Sequence, residues 1–132
     1  QVADLERARA MLRMAYKDFN ALIGMQDNPL FADEIFGFHI QQAVEKTLKA
    51  WLCIHSDTYS MTHELARLLA LLETRGIEVN TYWPLVQYTI FAVQARYEEG
   101  ITELDEPIDR KIEIRNVRAL LTQVELTIVA HE

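Results

Sequence analysis

Apolar residues recur at helical spacing in one segment after another along this chain of 132 residues. The clearest run contains Phe36, Ile40, Val44, Leu48 and Trp51, which follow one another at intervals of three or four. Such spacing places the apolar side chains on one side of an α-helix, whereas strands show a period of two. The pattern therefore favours an all-α fold.

Five helices are expected, joined by short connections. They are predicted to run from Leu5 to about Ile23, from about Asp33 to the residues before Ser56, from the N-cap Thr62 to about Gly76, from Tyr82 to about Tyr97 or Glu99, and from about Asp109 to Ile128 or beyond. Short connections favour an antiparallel up-and-down bundle, which we expect to form one domain over residues 1–132. The fourth helix is apolar on nearly every face, which predicts a central position or contact with a second subunit. Ile23 and Ile112 are expected on inner faces.

The composition excludes several classes of protein. Half of the residues are hydrophobic and a quarter are charged, as in compact helical proteins, while the net charge of −7 argues against unselective binding to nucleic acid. The single cysteine, Cys53, excludes an internal disulfide and is expected to be an inert, buried thiol. Neither a membrane-spanning apolar run nor a leader is recognisable, so we expect a cytoplasmic protein.

The second helix carries a polar stripe beside its apolar face. Gln42, Lys46 and Lys49 follow the i, i+4, i+7 spacing, and Glu45 can pair with Lys49 one turn on. From the residues alone, two ammonium groups, an amide and a carboxylate on one short surface are either simply solvated or a binding site.

These residues, together with Ala50, resemble the central helix of the HEPN domain family. The resemblance extends to the segment Thr62-His63-Glu64-Leu65 with Leu68 and Leu69, and to Ala95-Arg96-Tyr97. It implies a helical bundle that often accompanies a small nucleotidyltransferase, and it implies a site role or a structural hydrogen-bonding role for His63. From the residues alone, Arg96 and Tyr97 either bind phosphate or a carboxylate, or Arg96 reaches solvent or neutralises the end of its helix; in either case Arg96 can pair with Glu45.

Many HEPN domains are metal-independent ribonucleases, including toxin-type members, and carry Arg, four to six residues, and then His near the last helix. Here Arg115-Asn116 starts that pattern, but Leu120, Leu121 and Thr122 occupy the histidine positions and His131 lies too far on. A ribonuclease of this type lacks its general acid or base without that histidine. We therefore expect no catalytic residues, although an enzyme that uses other groups stays open.

Other ligand classes have no matching motif. The chain contains no Glu-x-x-His, and no two histidines are spaced i, i+4, so no metal site is predicted. Its four glycines are isolated, which excludes a glycine-rich phosphate loop, and no cofactor is expected.

The leading hypothesis is a HEPN-like binding protein that recognises a nucleotide or similar anion as a homodimer. The proposed ligand-binding residues are Gln42, Glu45, Lys46, Lys49, His63, Arg96 and Tyr97. One alternative is a non-catalytic interaction module, a partner of a small nucleotidyltransferase, in which the same stripe is a buried polar network at a dimer contact. The other is a ribonuclease that uses unrecognised groups.

Overall fold

Five helices and no strand make up the part of the chain that is described by a computed structural model, namely residues 4–55, 61–92 and 106–132. They are α1 (Leu5–Met25), α2 (Asp33–Ile54), α3 (Leu65–Glu73), the 3₁₀-helix η1 (Asn80–Phe91) and α4 (Arg110–Ala130). The predicted all-α bundle is confirmed.

The second helix, α2, is the centre of the bundle. It packs against α1, α3, η1 and α4, and its apolar residues Ile40 and Leu48 are fully buried. Because neighbours surround it, Gln41, Glu45, Thr47 and Lys49 are also buried. Two members of the polar stripe, Glu45 and Lys49, therefore lie inside the bundle, while Gln42 and Lys46 stay partly exposed at its surface.

Carboxylate caps define the starts of the two long outer helices. Asp4 accepts a hydrogen bond from the backbone N–H of Arg7, and Asp109 accepts one from that of Ile112. The predicted cap of the third helix is wrong, because α3 begins at Leu65 after Glu64. Thr62 Oγ1 instead accepts from the Glu64 N–H, 3.1 Å away, in the chain that leads into the helix.

The fourth helix, η1, has a different period from the one predicted. A 3₁₀-helix turns once every three residues, so side chains three apart share a face. Leu85, Tyr88 and Phe91 form that buried face, whereas Ile90 is 38% exposed, so the helix is not central; contact with a second subunit stays a prediction. Gly37 of α2 lies beneath the Phe91 ring, where an added Cβ would stand 2.7 Å from a ring carbon.

Two predicted inner positions are also wrong. Ile23 and Ile112 are 44% and 48% exposed, whereas their neighbours Leu22 and Ile114 are buried. Each error is small. The predicted spacing of the apolar residues is correct, and only the centre of the buried face lies at a different angle around the helix.

Arg110 joins the start of α4 to the turn between α1 and α2. Its guanidinium donates hydrogen bonds to the carbonyl oxygens of Met25, Asn28 and Phe31, and it lies 3.1 Å from Asp33 Oδ1. One side chain thus satisfies carbonyl groups at the end of α1 and in the turn that follows.

None of the helices described here is both long enough and apolar enough to cross a membrane.

Candidate functional site

A carboxylate of α1 organises one half of the polar network. Asp18 faces α2, where its Oδ2 lies 2.6 Å from Lys46 Nζ and its Oδ1 lies 2.9 Å from His39 Nδ1. His39 and Lys46 are about two helical turns apart on α2, so both side chains can reach the same neighbouring helix. We call Asp18, His39 and Lys46 the Asp18 cluster.

A second carboxylate, on α2 itself, organises the other half. Glu45 accepts hydrogen bonds from Gln41 Nε2 at 2.7 Å and from Lys49 Nζ at 2.9 Å, one turn away on either side. His63 Nδ1, in the chain that leads into α3, lies 2.9 Å from the same carboxylate. We call Gln41, Glu45, Lys49 and His63 the Glu45 cluster.

The orientation of His63 follows from its partner. An ionised carboxylate only accepts hydrogen bonds, so Nδ1 of His63 carries a proton and donates a hydrogen bond to Glu45. The His63 side chain is 56% exposed. Because Nδ1 is held by Glu45, a hydrogen bond from the ring to a further molecule would use Nε2, which accepts in the neutral imidazole and donates in the imidazolium.

The two carboxylates remain ionised although they are largely buried. Burial alone would raise the pKa of Asp18, but hydrogen bonds from His39 and Lys46 outweigh it, and the pKa lies below its ordinary value. For Glu45, burial again opposes ionisation, while hydrogen bonds from Lys49, Gln41 and His63 lower the pKa. Both networks thus depend on negative charge held by donors.

Gln42 extends the Glu45 cluster. Its Nε2 donates to Gln41 Oε1 at 2.7 Å, and its side chain is partly exposed. The structure therefore brings together four of the predicted site residues around Glu45, namely Gln42, Glu45, Lys49 and His63, and it places Lys46 in the Asp18 cluster. The predicted pair Glu45–Lys49 is confirmed, while Arg96 and Tyr97 lie outside the described residues, together with the expected contact from Arg96 to Glu45. A ligand-binding role for the set stays a prediction.

Three members of the network were not predicted, and two of them left a signal. Asp18 interrupts the apolar face of α1, standing three residues after the buried Ala15 and four before the buried Leu22. A carboxylate in that position requires a polar partner from a neighbouring helix. Gln41 precedes Glu45 by one turn, a spacing that permits their hydrogen bond. Nothing in the sequence identifies Asp18 as the partner of His39.

The model of the HEPN domain family matches residues 5–126. The chain belongs to the HEPN family. No curated protein and no solved structure matches it.

The motif expected of ribonuclease HEPN domains, Arg followed by His after four to six residues, is incomplete in this HEPN protein. Arg115 is exposed on α4, and Asn116 Nδ2 donates to Glu113 Oε1 at 2.7 Å. One turn further on, Leu120 and Leu121 are fully buried in the core. Apolar packing thus occupies two of the positions where the family's histidine was expected, in agreement with the sequence.

Glu113 forms a third carboxylate cluster, with partners that carry no charge. Its Oε2 accepts a hydrogen bond from the Tyr88 hydroxyl, and Asn116 contacts its other oxygen. Burial, followed by the bond to Glu113, raises the pKa of Tyr88. Tyr88 is therefore a fixed donor rather than an acid at neutral pH.

Cys53 and the carboxylates offer little other chemistry. Cys53 is buried as expected, and burial raises the pKa of its thiol, which disfavours the reactive thiolate. Within residues 4–55, 61–92 and 106–132, no group of three His, Cys, Asp or Glu side chains could hold a metal ion.

Proposed function

We propose that this HEPN-family protein is a non-catalytic binding protein that recognises a nucleotide or a similar anionic ligand as a homodimer. Gln42, Lys46 and His63 would contact the ligand, because each keeps part of its side chain exposed. Glu45 and Lys49 are buried, and they would hold the contact groups in place. Arg96 and Tyr97 complete the proposed site on the strength of the family resemblance.

The proposal is supported by side chains that are partly exposed and are hydrogen-bonded to buried carboxylates. Lys46 is 23% exposed and its ammonium contacts Asp18, while the more exposed His63 contacts Glu45. A donor that is already oriented loses less conformational entropy when it binds phosphate or another anion. Oriented groups of this kind can therefore select an anionic ligand by geometry, although the protein carries a net charge of −7.

The homodimer rests on the apolar surface of η1. Beyond its buried face, Trp83 and Val86 are only partly buried and Ile90 is 38% exposed. Apolar side chains grouped on one short helix are typical of a contact between subunits. Sedimentation equilibrium at micromolar concentrations should give twice the chain mass of 15.3 kDa; a constant monomer mass would contradict this part of the proposal.

A second candidate is an interaction module, with a small nucleotidyltransferase as its partner. In the described part of the chain every buried side-chain nitrogen and oxygen has a hydrogen-bond partner. The Glu45 and Asp18 clusters are thus complete without a ligand, as expected of a polar network that fixes how helices or subunits pack. A ribonuclease is the weakest candidate, because its histidine is missing.

Calorimetric titration with a panel of nucleotides separates the two main candidates. Under the binding proposal, Lys46→Ala weakens the best ligand about tenfold, as expected for loss of a charge-assisted contact, and His63→Ala does so at a pH at which the imidazole is protonated, because only then does Nε2 carry an N–H. Lys17→Ala is the matched control, since Lys17 is an exposed cation of α1 outside the network, and it should leave affinity unchanged.

Thermal melts of the same variants complete the experiment. Lys46→Ala and His63→Ala should lose far more affinity than stability if these groups contact a ligand. If the wild type binds no nucleotide, and the substitutions lower the melting temperature or dissociate the dimer, the network is structural and the interaction module is correct.

A further inference from the structure

A short groove between α1 and α4 is separate from the polar network. The two helices run antiparallel, and two hydrogen-bonded side-chain pairs join them along the groove: Arg9 Nη2 lies 2.8 Å from Glu132 Oε2, and the Tyr16 hydroxyl donates to Glu125. Arg9 and Tyr16 are about two helical turns, or about 10 Å, apart. Between these bridges lies a cavity of about 310 Å³ that opens to solvent.

The interior of the groove is apolar. Leu12 and Ile128 are buried at its lining, the ring of Tyr16 adds a third apolar surface, and Val129 is 63% exposed beside them. An exposed valine next to buried leucine and isoleucine is apolar surface that helix packing leaves uncovered. The volume lies at the lower end of the range for small-molecule sites.

Only one charged group of this lining lacks a partner among the described residues. Arg9 pairs with Glu132, and Glu125 accepts the hydroxyl of Tyr16, whose pKa is raised to about 12 by burial and by that bond. Arg13 lines the same groove and forms neither an ion pair nor a hydrogen bond with any described residue. The groove therefore combines an apolar interior with one uncommitted guanidinium.

We propose that the groove binds a small organic anion with a compact apolar body and a single carboxylate. The apolar body would cover Leu12, Ile128 and Val129, and the carboxylate would meet the two parallel N–H groups of Arg13. The bridges at both ends favour a small molecule over a protein helix, because an amphipathic helix needs a groove that is open along several turns. None of these residues belongs to the Asp18 or Glu45 clusters, so the site does not depend on nucleotide binding.

Titration with octanoate and with 1-octanol tests this site directly. The wild type should bind octanoate saturably, and about tenfold more tightly than 1-octanol, which has a similar apolar body but no charge. Arg13→Gln should reduce the affinity for octanoate to that for 1-octanol, and it should leave 1-octanol binding unchanged. Val129→Glu should weaken both ligands, because it places a carboxylate in the apolar interior.

Lys17→Gln is the matched control, since it removes a positive charge from the same helix outside the groove lining. Equal loss of octanoate affinity in Lys17→Gln and Arg13→Gln would reduce the effect to general charge attraction and overturn the proposal. Absence of saturable octanoate binding would also overturn it. If Val129→Glu dissociates a dimer that octanoate leaves intact, a second copy of the chain covers the groove instead. Arg13 is exposed, so Arg13→Gln should fold even if Val129→Glu does not.

Discussion

Glu45 and Glu113 are two buried carboxylates in the same bundle with opposite surroundings. Glu45 is 7% exposed and contacts the cationic Lys49, with Gln41 and His63 beside it. Glu113 is 9% exposed and contacts only a hydroxyl and an amide in the described structure. The two sites thus bury a similar group, once with a balancing charge and once without.

The difference determines which group responds to pH. Around Glu45 the donors lower the pKa of the carboxylate, so the acid is the group whose pKa shifts. Around Glu113 the pKa of the donor, Tyr88, is raised, first by burial and then because ionisation would place two negative oxygens in contact. At Glu45, with a charged partner, the pKa of the carboxylic acid shifts. At Glu113, with a neutral partner, the pKa of that partner, Tyr88, shifts.

The largest expected effect comes from the same substitution at both sites. Glu45→Gln leaves Lys49 buried without its carboxylate, and we expect a loss of about 3 to 5 kcal/mol in the free energy of unfolding. Glu113→Gln keeps polar atoms near Tyr88 and Asn116, and it should cost about 1 kcal/mol. Urea unfolding at neutral pH measures both values.

The double variant Glu45→Gln with Lys49→Met tests the reason. Removing both charges should recover a large part of the lost stability, because the buried ammonium that Glu45 balanced is then also gone. Equal losses for Glu45→Gln and Glu113→Gln would show that the charge of Lys49 contributes little, and the contrast between the two sites would fail.

The next effect separates the two sites by pH. The pKa of Glu45 lies below its ordinary value of 4.5, so its contribution is present above pH 4.5 and is lost as pH falls through the lower folded value. The pKa of Tyr88 lies above its ordinary value of 10.0, so its contribution is present below pH 10.0 and is lost as pH rises toward the folded value.

Unfolding measured between about pH 3 and pH 11 checks both directions. Glu45→Gln should lose less stability than the wild type on acidification, while its alkaline response stays the same. Tyr88→Phe should show the reverse. A wild-type acid limb in Glu45→Gln would mean that Glu45 is not held in its ionised form by the cluster.

The smallest effect concerns the packing that connects α2 to the neighbourhood of Glu113. Phe91 stacks on Tyr88, with ring centroids 6.1 Å apart, and its ring covers Gly37. Gly37→Ala places a Cβ against that ring and should lower stability by about 1 kcal/mol after the gain in helix propensity. Gly24→Ala is the control: no atom lies within 4 Å of its added Cβ, so it should raise stability. Stabilisation by both variants would show that Phe91 moves freely.

Helix periodicity explains why much of this fold could be predicted from the sequence. α1, α2 and α4 begin and end close to the predicted residues, because a buried face repeats along each of them and Asp4 or Asp109 caps two of them. Within the site, the Glu45–Lys49 pair was predictable because both residues lie on one helix. The contact from Asp18 to Lys46 joins two helices, and a local pattern contains no information about which side chains meet across an interface.

The 3₁₀ geometry of η1 was not predictable for a related reason. Its residues are apolar on several sides, so a period of 3.0 and one of 3.6 fit the sequence about equally well. The close contact of Phe91 with Gly37 distinguishes them, and that contact depends on the position of α2. Tertiary packing thus selects the helix type where local preference is ambiguous.

The contacts of Arg110 affect the order in which parts of the fold are completed during synthesis. The turn between α1 and α2 is synthesised early, yet its carbonyl oxygens receive their guanidinium from a residue about 80 positions later. A ribosome adds about 5 to 20 residues each second, so the first hairpin waits several seconds for that partner. During this interval the Met25 and Asn28 carbonyl oxygens have only their backbone donors, the N–H groups of Asn28 and Phe31, and the arrival of α4 adds the guanidinium to a turn that was made first.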